Sequence, residues 1–326
     1  MQSAEAPADG YTQGGGVLAS PFRLLPPGHP GKGSFIEVHL IDGTYELFRH
    51  HFALPGHVDS NGVECAATRG VLTSVLGLLG EGATHVAVAT DHVIESFRND
   101  LYAGYKTSAG VPAELLGQFW LLEDALRGLG VTVWAMTELE ADDALASGAA
   151  RAAADQRVDR VLICTPDKDL GQCVVGSRVV QLDRRKRLIL DAAAITAKFG
   201  VLPASIPDWL GLVGDSADGF PGLPGWGAKS AATVLRKWGT IEAIPPLAEA
   251  WGVDVRGASK LAATLRDQRK EAALFKDLAT LRIDPSVLAS VDDLVWRGPT
   301  DDFPALCRRI GADDLVERAQ RLASRR

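Results

Sequence analysis

The stretch ELEADDALAS, residues 138–147, holds Glu138, Glu140, Asp142 and Asp143 within six positions. Like charges this close raise one another's pKa unless something positive lies among them. Further acids close apolar runs elsewhere: Asp42 ends FIEVHLID, Asp91 ends HVAVATD, and Asp167 ends RVLICTPD with Asp169 two residues on. Asp215 and Asp218 stand three apart in LVGDSADGFPG. The histidines of RHHF, residues 49–52, have no ligand-spaced His partner, and the four cysteines form no CxxC pair. A donor set made only of oxygens suits Mg²⁺ or Mn²⁺. Two such ions about 4 Å apart are an established apparatus for phosphodiester hydrolysis. That chemistry needs no protein nucleophile, and no Ser/His/Asp or Cys/His arrangement is evident. The plainer alternative is that ELEADD and TPDKDL are acidic helix starts, favoured by the helix dipole and by capping. What speaks for a metal site is the recurrence of acids at the ends of successive runs.

The elements that must position these acids follow from periodicity. Apolar runs at residues 35–42, 85–91, 131–136 and 160–167 read as strands. Helical patterns at 66–79, 113–129 and 141–154 lie between them. This alternation predicts an α/β fold with a mostly parallel sheet flanked by helices on both faces. Ligands bind beyond the carboxyl ends of such strands, which is the edge where the acids converge. Glu140 and Asp143 share a helix face, while Asp142 points about 100° from Asp143, so one helix start can serve two ions. Residues 179–191, VVQLDRRKRLILD, predict a hairpin at the sheet edge, with DRRKR a solvated turn rather than a DNA contact. From residue 205 the pattern is helical, and no internal repeat or coiled coil is seen.

Length predicts two domains, or one with a helical extension. At 46% hydrophobic and 23% charged, the composition is that of a soluble globular enzyme. The scattered cysteines suit a reducing, cytoplasmic setting. Residues 1–33, rich in Gly, Pro and Ala, read as a flexible tail rather than a signal peptide. No run of about 18 apolar residues predicts a membrane span. The net charge of −7 argues at first against a nucleic-acid partner. With the nine acids other than Glu138 neutralised by cations, the remainder stands near +2.

Taken in order, IDGTYELFR, ATDH…SFRNDLYAGYK, ELEADDALA, TPDKDLGQ and GDSADGFPGLPGWGAKSAATVL resemble the 5′-nuclease domain of bacterial DNA polymerase I and the flap endonucleases. The likeness spans residues 35–244, and five short motifs in order are specific. No polymerase-sized region follows, so the chain resembles a free-standing 5′-3′ exonuclease. The resemblance implies a PIN-like (resolvase-like) core over residues 34–204 with a helical arch near 95–125. It implies a C-terminal helical domain over 205–326 with a helix–hairpin–helix near 220–239. Asp42, Asp91, Glu140, Asp142 and Asp143 would serve a first metal cluster, and Asp167, Asp169, Asp215 and Asp218 a second. Arg49 would contact a substrate phosphate, or else form a surface salt bridge. Lys106 matches the arch lysine that reaches the scissile phosphate. Tyr105 would stack on a terminal base, or else pack in the core. Gly225, Gly227 and Lys229 would bind DNA phosphates at the hairpin, where family members often hold a K⁺; the plain reading there is a Gly-rich turn. Two positions depart from the pattern. Ala109 stands where many relatives have Arg, leaving phosphate steering to another residue, with Arg98 a candidate. Gly219 replaces an Asn after the last acid and shapes the turn.

Three rival readings are weaker. LIDGT is similar to the DxDGT of haloacid-dehalogenase phosphatases, but Leu40 stands in place of the nucleophilic Asp. A PIN-type ribonuclease would carry fewer acids and lack the GDSADGFPG…GWGAK region. A non-catalytic DNA-binding module would leave nine carboxylates repelling its ligand. The sequence is best read as a monomeric, metal-dependent 5′-3′ exonuclease and flap endonuclease acting on DNA 5′ ends, flaps or nicks, with RNA primers a further candidate substrate.

Overall fold

Strand β1 (Ile36–Asp42) is buried from Val38 onward because helices cover both faces of the sheet. The computed structural model describes residues 35–326; the predicted tail at 1–33 lies outside them. β1 pairs in parallel with β2 (His85–Asp91) on one side and with β4 (Val158–Cys164) on the other. β3 (Thr132–Met136) extends the sheet beyond β2, and β5 (Val179–Asp183) extends it beyond β4. β6 (Leu188–Leu190) closes the edge antiparallel to β5, so the predicted hairpin is present. The order β3-β2-β1-β4-β5-β6 places the chain's change of direction between β1 and β4. That crevice, beyond the carboxyl ends of the strands, is where an open α/β sheet takes its ligand.

One face carries α1 (Gly43–Ala53), α2 (Ala66–Gly80) and α5 (Gln118–Gly128). In α2 the buried Val71, Leu72, Val75, Leu76 and Leu79 form the stripe expected of a helix laid on a sheet. The other face carries α6 (Ala141–Ala154), whose Ala144, Leu145 and Ala149 pack against Val38, Leu40 and Ile163.

Residues 95–125, the predicted helical arch, are only partly helical. They contain a five-residue α3 (Phe97–Leu101), an irregular stretch, and a four-residue α4 (Ala113–Leu116). α5 belongs to the core layer, with Phe119, Leu122 and Leu126 buried. The irregular stretch folds down onto the helical region, where Tyr102 meets Phe275 edge-on at 5.6 Å between centroids.

That helical region comprises α7 (Ala192–Phe199), α8 (Ile206–Val213), α9 (Ala228–Trp238), α10 (Ala258–Asp267) and α11 (Arg269–Ala279). It has its own core around Leu210, Phe220, Val234, Trp251 and Phe275. The predicted unit over 205–326 differs at its far end. Leu288, Val291 and Leu294 join the α6 face of the sheet. Trp296 and helices α12 (Phe303–Arg309) and α13 (Asp314–Ala323) return to the α2 and α5 face. The Trp296 indole N–H donates to the Leu129 carbonyl at 2.7 Å. The last apolar helices thus bury their stripes on the nuclease-like core, and helical pattern alone does not reveal which core a helix joins. Among the described residues, no helix is long and apolar enough to cross a membrane.

Candidate metal centre and nucleic-acid interface

Asp42 is the last residue of β1 and the N-cap of α1. It accepts from the Tyr45 amide at 2.8 Å and from Thr165 Oγ1, just past β4, at 2.9 Å. Burial, with lesser repulsion from Asp91 and Asp167, pushes its carboxyl up to about 7. Asp91 ends β2 and accepts from the Ala141 amide at 2.7 Å, joining the second strand to the start of α6. Burial raises its pKa as well. Asp142 projects into the same group, and its pKa stands well above normal through burial and the charges of Asp167 and Asp42. Asp167 is exposed at the edge of this group.

Asp169 opens a 3-10 turn, and Asp215 and Asp218 come from the loop after α8. One carboxylate oxygen from each of these three lies within 4.8 Å of the others. Asp169 Oδ1 is buried without a hydrogen-bond partner among the described residues. Burial, then Asp167, Asp218 and Asp215, raises its pKa well above normal. A carboxylate with an unpartnered buried oxygen, grouped with two further carboxylates, fits a hard divalent cation.

Two lysines thread the acids. Lys106 Nζ lies 2.9 Å from Glu140 Oε2 and 3.0 Å from Asp218 Oδ1, so it spans both predicted clusters. Burial opposes its charge, but Asp218 and Glu140 outweigh burial and raise its pKa well above normal. Lys168 pairs with Asp215. Sequence reasoning missed Lys168, although it stands between Asp167 and Asp169 in the motif itself.

Gly219 explains how Lys106 reaches the acids. Its φ is +85°, and a Cβ there would lie 2.2 Å from the Gly104 carbonyl oxygen. The Lys106 amide donates to the Asp218 carbonyl at 3.0 Å alongside. The two backbones meet because Gly219 carries no side chain at the contact. Gly219→Ala is expected to cost roughly 1–3 kcal/mol through strain at this contact. Urea unfolding measures it, and a variant as stable as the parent refutes the close approach.

Four residues with predicted roles meet other partners in the structure. Asp143 is fully buried and its carboxylate is saturated: Arg98 Nη1 and Nη2 donate to its two oxygens at 2.8 Å each. The Arg282 and Glu140 amides add bonds of 2.8 and 3.0 Å. Two of these donors are main-chain amides and the guanidinium is buried, so we read Asp143 as a capping and pairing residue. Glu140 also meets four donors, from Ser96, Arg98, Lys106 and Tyr105, but all are side chains that a cation can displace. Arg98, the candidate substitute for the missing arch arginine, is 1% exposed and donates also to the Leu278 and Thr280 carbonyls. It cannot steer a phosphate from there. Tyr105 is buried with its hydroxyl 3.2 Å from Glu140 Oε2, so the core-packing alternative holds. Arg49 pairs with Glu46 one turn back, which is the salt-bridge alternative. Glu140 keeps its place among the acids. Burial would raise its pKa, but Lys106 and Arg98 outweigh burial and lower it.

Around the hairpin, Gly225 has φ +84° and Gly227 caps α9. Lys229 is exposed and lines a cleft of about 480 Å³ with Thr233, Arg236 and Lys237. No carboxylate lines it. Sequence reasoning left out Arg236 and Lys237; their place about two turns beyond Lys229 on α9 was the available signal.

An acid-lined crevice at the switch point of an open, mostly parallel sheet, followed by a helical region, is an arrangement suited to metal-dependent phosphodiester hydrolysis. Residues 37–200 match the family described as "5'-3' exonuclease, N-terminal resolvase-like domain", and residues 201–302 match "5'-3' exonuclease, C-terminal SAM fold". The chain belongs to the 5′-3′ exonuclease family, whose members are nuclease hydrolases. It is 30% identical over 251 residues to a 5′-3′ exonuclease of Buchnera aphidicola subsp. Baizongia pistaciae, covering 76% of this chain and 82% of that protein. It is 35% identical over 289 residues to DNA polymerase I of Bacillus caldotenax, covering 86% of this chain and 32% of that protein. The chain thus spans about a third of the polymerase relatives it matches. In fold it is similar to the T5 D15 protein co-crystallized with metal ions, with TM-score 0.59, 17% identity and coverage of 88% and 98%. It is also similar to the catalytic core of Rad2 in complex with DNA substrate, with TM-score 0.58, 15% identity and coverage of 88% and 91%.

Proposed function

We propose that this protein is a divalent-metal-dependent 5′ nuclease that hydrolyses DNA phosphodiesters from 5′ ends and at 5′ flaps. The observation that carries the reading is the meeting of strand-end and loop acids at one edge, with Asp169, Asp215 and Asp218 oxygens within 4.8 Å. Asp42, Asp91, Glu140, Asp142 and Asp167 would hold one ion, and Asp169, Asp215 and Asp218 a second. The all-oxygen set favours Mg²⁺ or Mn²⁺, and the carbonyls of the hairpin before α9 would take K⁺. Bound there, two divalent cations supply Lewis-acid activation of the attacking water and charge neutralisation at the phosphate. Lys106 stands between both acid groups, where its ammonium can be offered to the charge developing on the scissile phosphate. Glu140 orients that ammonium, and Tyr105 fixes Glu140. Gly225, Gly227 and Lys229 would hold duplex phosphates without reading sequence.

The test compares 5′ flaps, nicked duplex, single strands and RNA–DNA hybrids, with and without Mg²⁺. The expected result is Mg²⁺-dependent cleavage from the 5′ side that leaves 5′-phosphate ends. Cleavage from 3′ ends only, or none in either condition, overturns the reading. Lys229→Ala is expected to weaken binding equally for all sequences. It should also flatten the slope of log K against log salt by about 0.9 for each phosphate that is no longer neutralised. A change in sequence preference instead would sink the hairpin assignment.

A further inference from the structure

The family resemblance left Tyr105 either stacking on a terminal base or packing in the core, and its ring is buried. The exposed aromatic rings among the described large apolar residues are Phe35, Phe52 and Trp120. Phe35 precedes β1 and lies at the sheet edge opposite the acids. Phe52 sits near the end of α1, which starts at Asp42. Ten residues of helix carry it roughly 15 Å from the metal centre. Trp120 is different. It lies in the first turn of α5, which follows the connection from the carboxyl end of β2.

Trp120 is 65% exposed, and the other six tryptophans are buried or half-buried. Its indole stacks on the imidazole of His92, with centroids 4.7 Å apart and planes at 27°. His92 is the residue immediately after Asp91. That imidazole is itself held: its Nδ1 lies 2.9 Å from Glu123 Oε2, and Glu123 Oε1 accepts from Thr90 Oγ1 at 2.8 Å. Three side chains from β2, the residue after it and α5 therefore stiffen one indole while leaving most of it in water. Leaving so large an apolar surface exposed costs free energy that packing inward would recover. Holding it stiff gives a stacking partner little ordering entropy to lose.

We propose that Trp120, braced by His92, is a stacking platform for an unpaired nucleobase of the 5′-terminal strand as that strand leaves the metal centre. This rests on the nuclease reading above and names a binding position within it. The platform accepts any base, because every base has a π face. It also gives unpaired 5′ ends an advantage over fully paired ones.

The test measures equilibrium binding, in Ca²⁺, of a duplex with a single-stranded 5′ flap. A matching flap carries abasic tetrahydrofuran units, which keep the phosphates and remove the bases. Trp120→Ala is expected to weaken binding of the base-bearing flap about 10-fold, and Trp120→Phe by no more than about 3-fold. On the abasic flap, parent and Trp120→Ala should bind alike, both near the weakened value. Circular dichroism melting of each variant reports folding independently. Equal binding of the base-bearing flap by parent and Trp120→Ala overturns the platform, as does an equal loss on both flaps. A parent protein that neither binds flaps nor cleaves them in Mg²⁺ overturns the nuclease reading itself, which is a separate outcome.

Discussion

Asp42→Asn is expected to abolish cleavage while making the metal-free protein more stable at pH 8. The two effects have one cause. Asp42 is buried beside Asp91 and Asp167, and its carboxyl is pushed up to about 7, mainly by burial. A carboxyl whose folded pKa exceeds its unfolded value of 3.8 favours the fold most below that value. This contribution is lost as pH rises through about 7, because the unfolded chain ionises freely and the folded one resists. The metal-free parent should therefore lose stability between about pH 4 and pH 7. The variant should show a flatter profile and a gain on the order of a few kcal/mol at pH 8. Asn keeps an oxygen for the Tyr45 amide, so the α1 cap survives. Cleavage should fall by more than about 10³-fold, since the variant removes an anionic oxygen from the proposed metal centre. Thermal melts across pH, with and without Mg²⁺, and a cleavage assay check both halves. A variant that cleaves normally, or that is less stable at pH 8 without metal, contradicts the assignment.

Asp143→Ala should be the most damaging substitution to the fold among the acids. It leaves Arg98, 1% exposed, facing two carbonyls and Glu140 without its bidentate partner. Breaking a buried pair from one side costs about 3–5 kcal/mol, and the capping bond to the Glu140 amide disappears as well. Cleavage should disappear because α3, the start of α6 and the end of α11 lose their common anchor. Arg98→Met combined with Asp143→Leu removes both charges and should recover part of the stability, because an apolar pair has no charge to desolvate. Urea unfolding of the single and double variants measures the recovery. Calorimetric titration with Mg²⁺ then separates the roles. The double variant should bind the same number of ions as the parent, whereas loss of one ion from a folded double variant would return Asp143 to the ligands.

The sheet and its acid edge were legible in the sequence because local pattern encodes them. Residues 85–91 and 141–154 form a strand and a helix over the predicted spans. Strand ends place Asp42 and Asp91 regardless of what surrounds them. The helices of the last segment were legible as helices but not as parts of the nuclease-like core. Phe303, Cys307 and Leu315 are equally apolar whichever core receives them.

Sequence alone determined the family, the α/β order and the acidic residue set, since these depend on residue type, spacing and period. Tertiary structure decided which groups face one another. It gave Asp143 to Arg98 and buried Tyr105 against Glu140. It set Lys106 between the two acid groups through the Gly219 and Gly104 contact. It also left Trp120 in water beside His92. Each depends on atoms brought together from distant positions, where desolvation and pairing act over a few ångströms that no local pattern records.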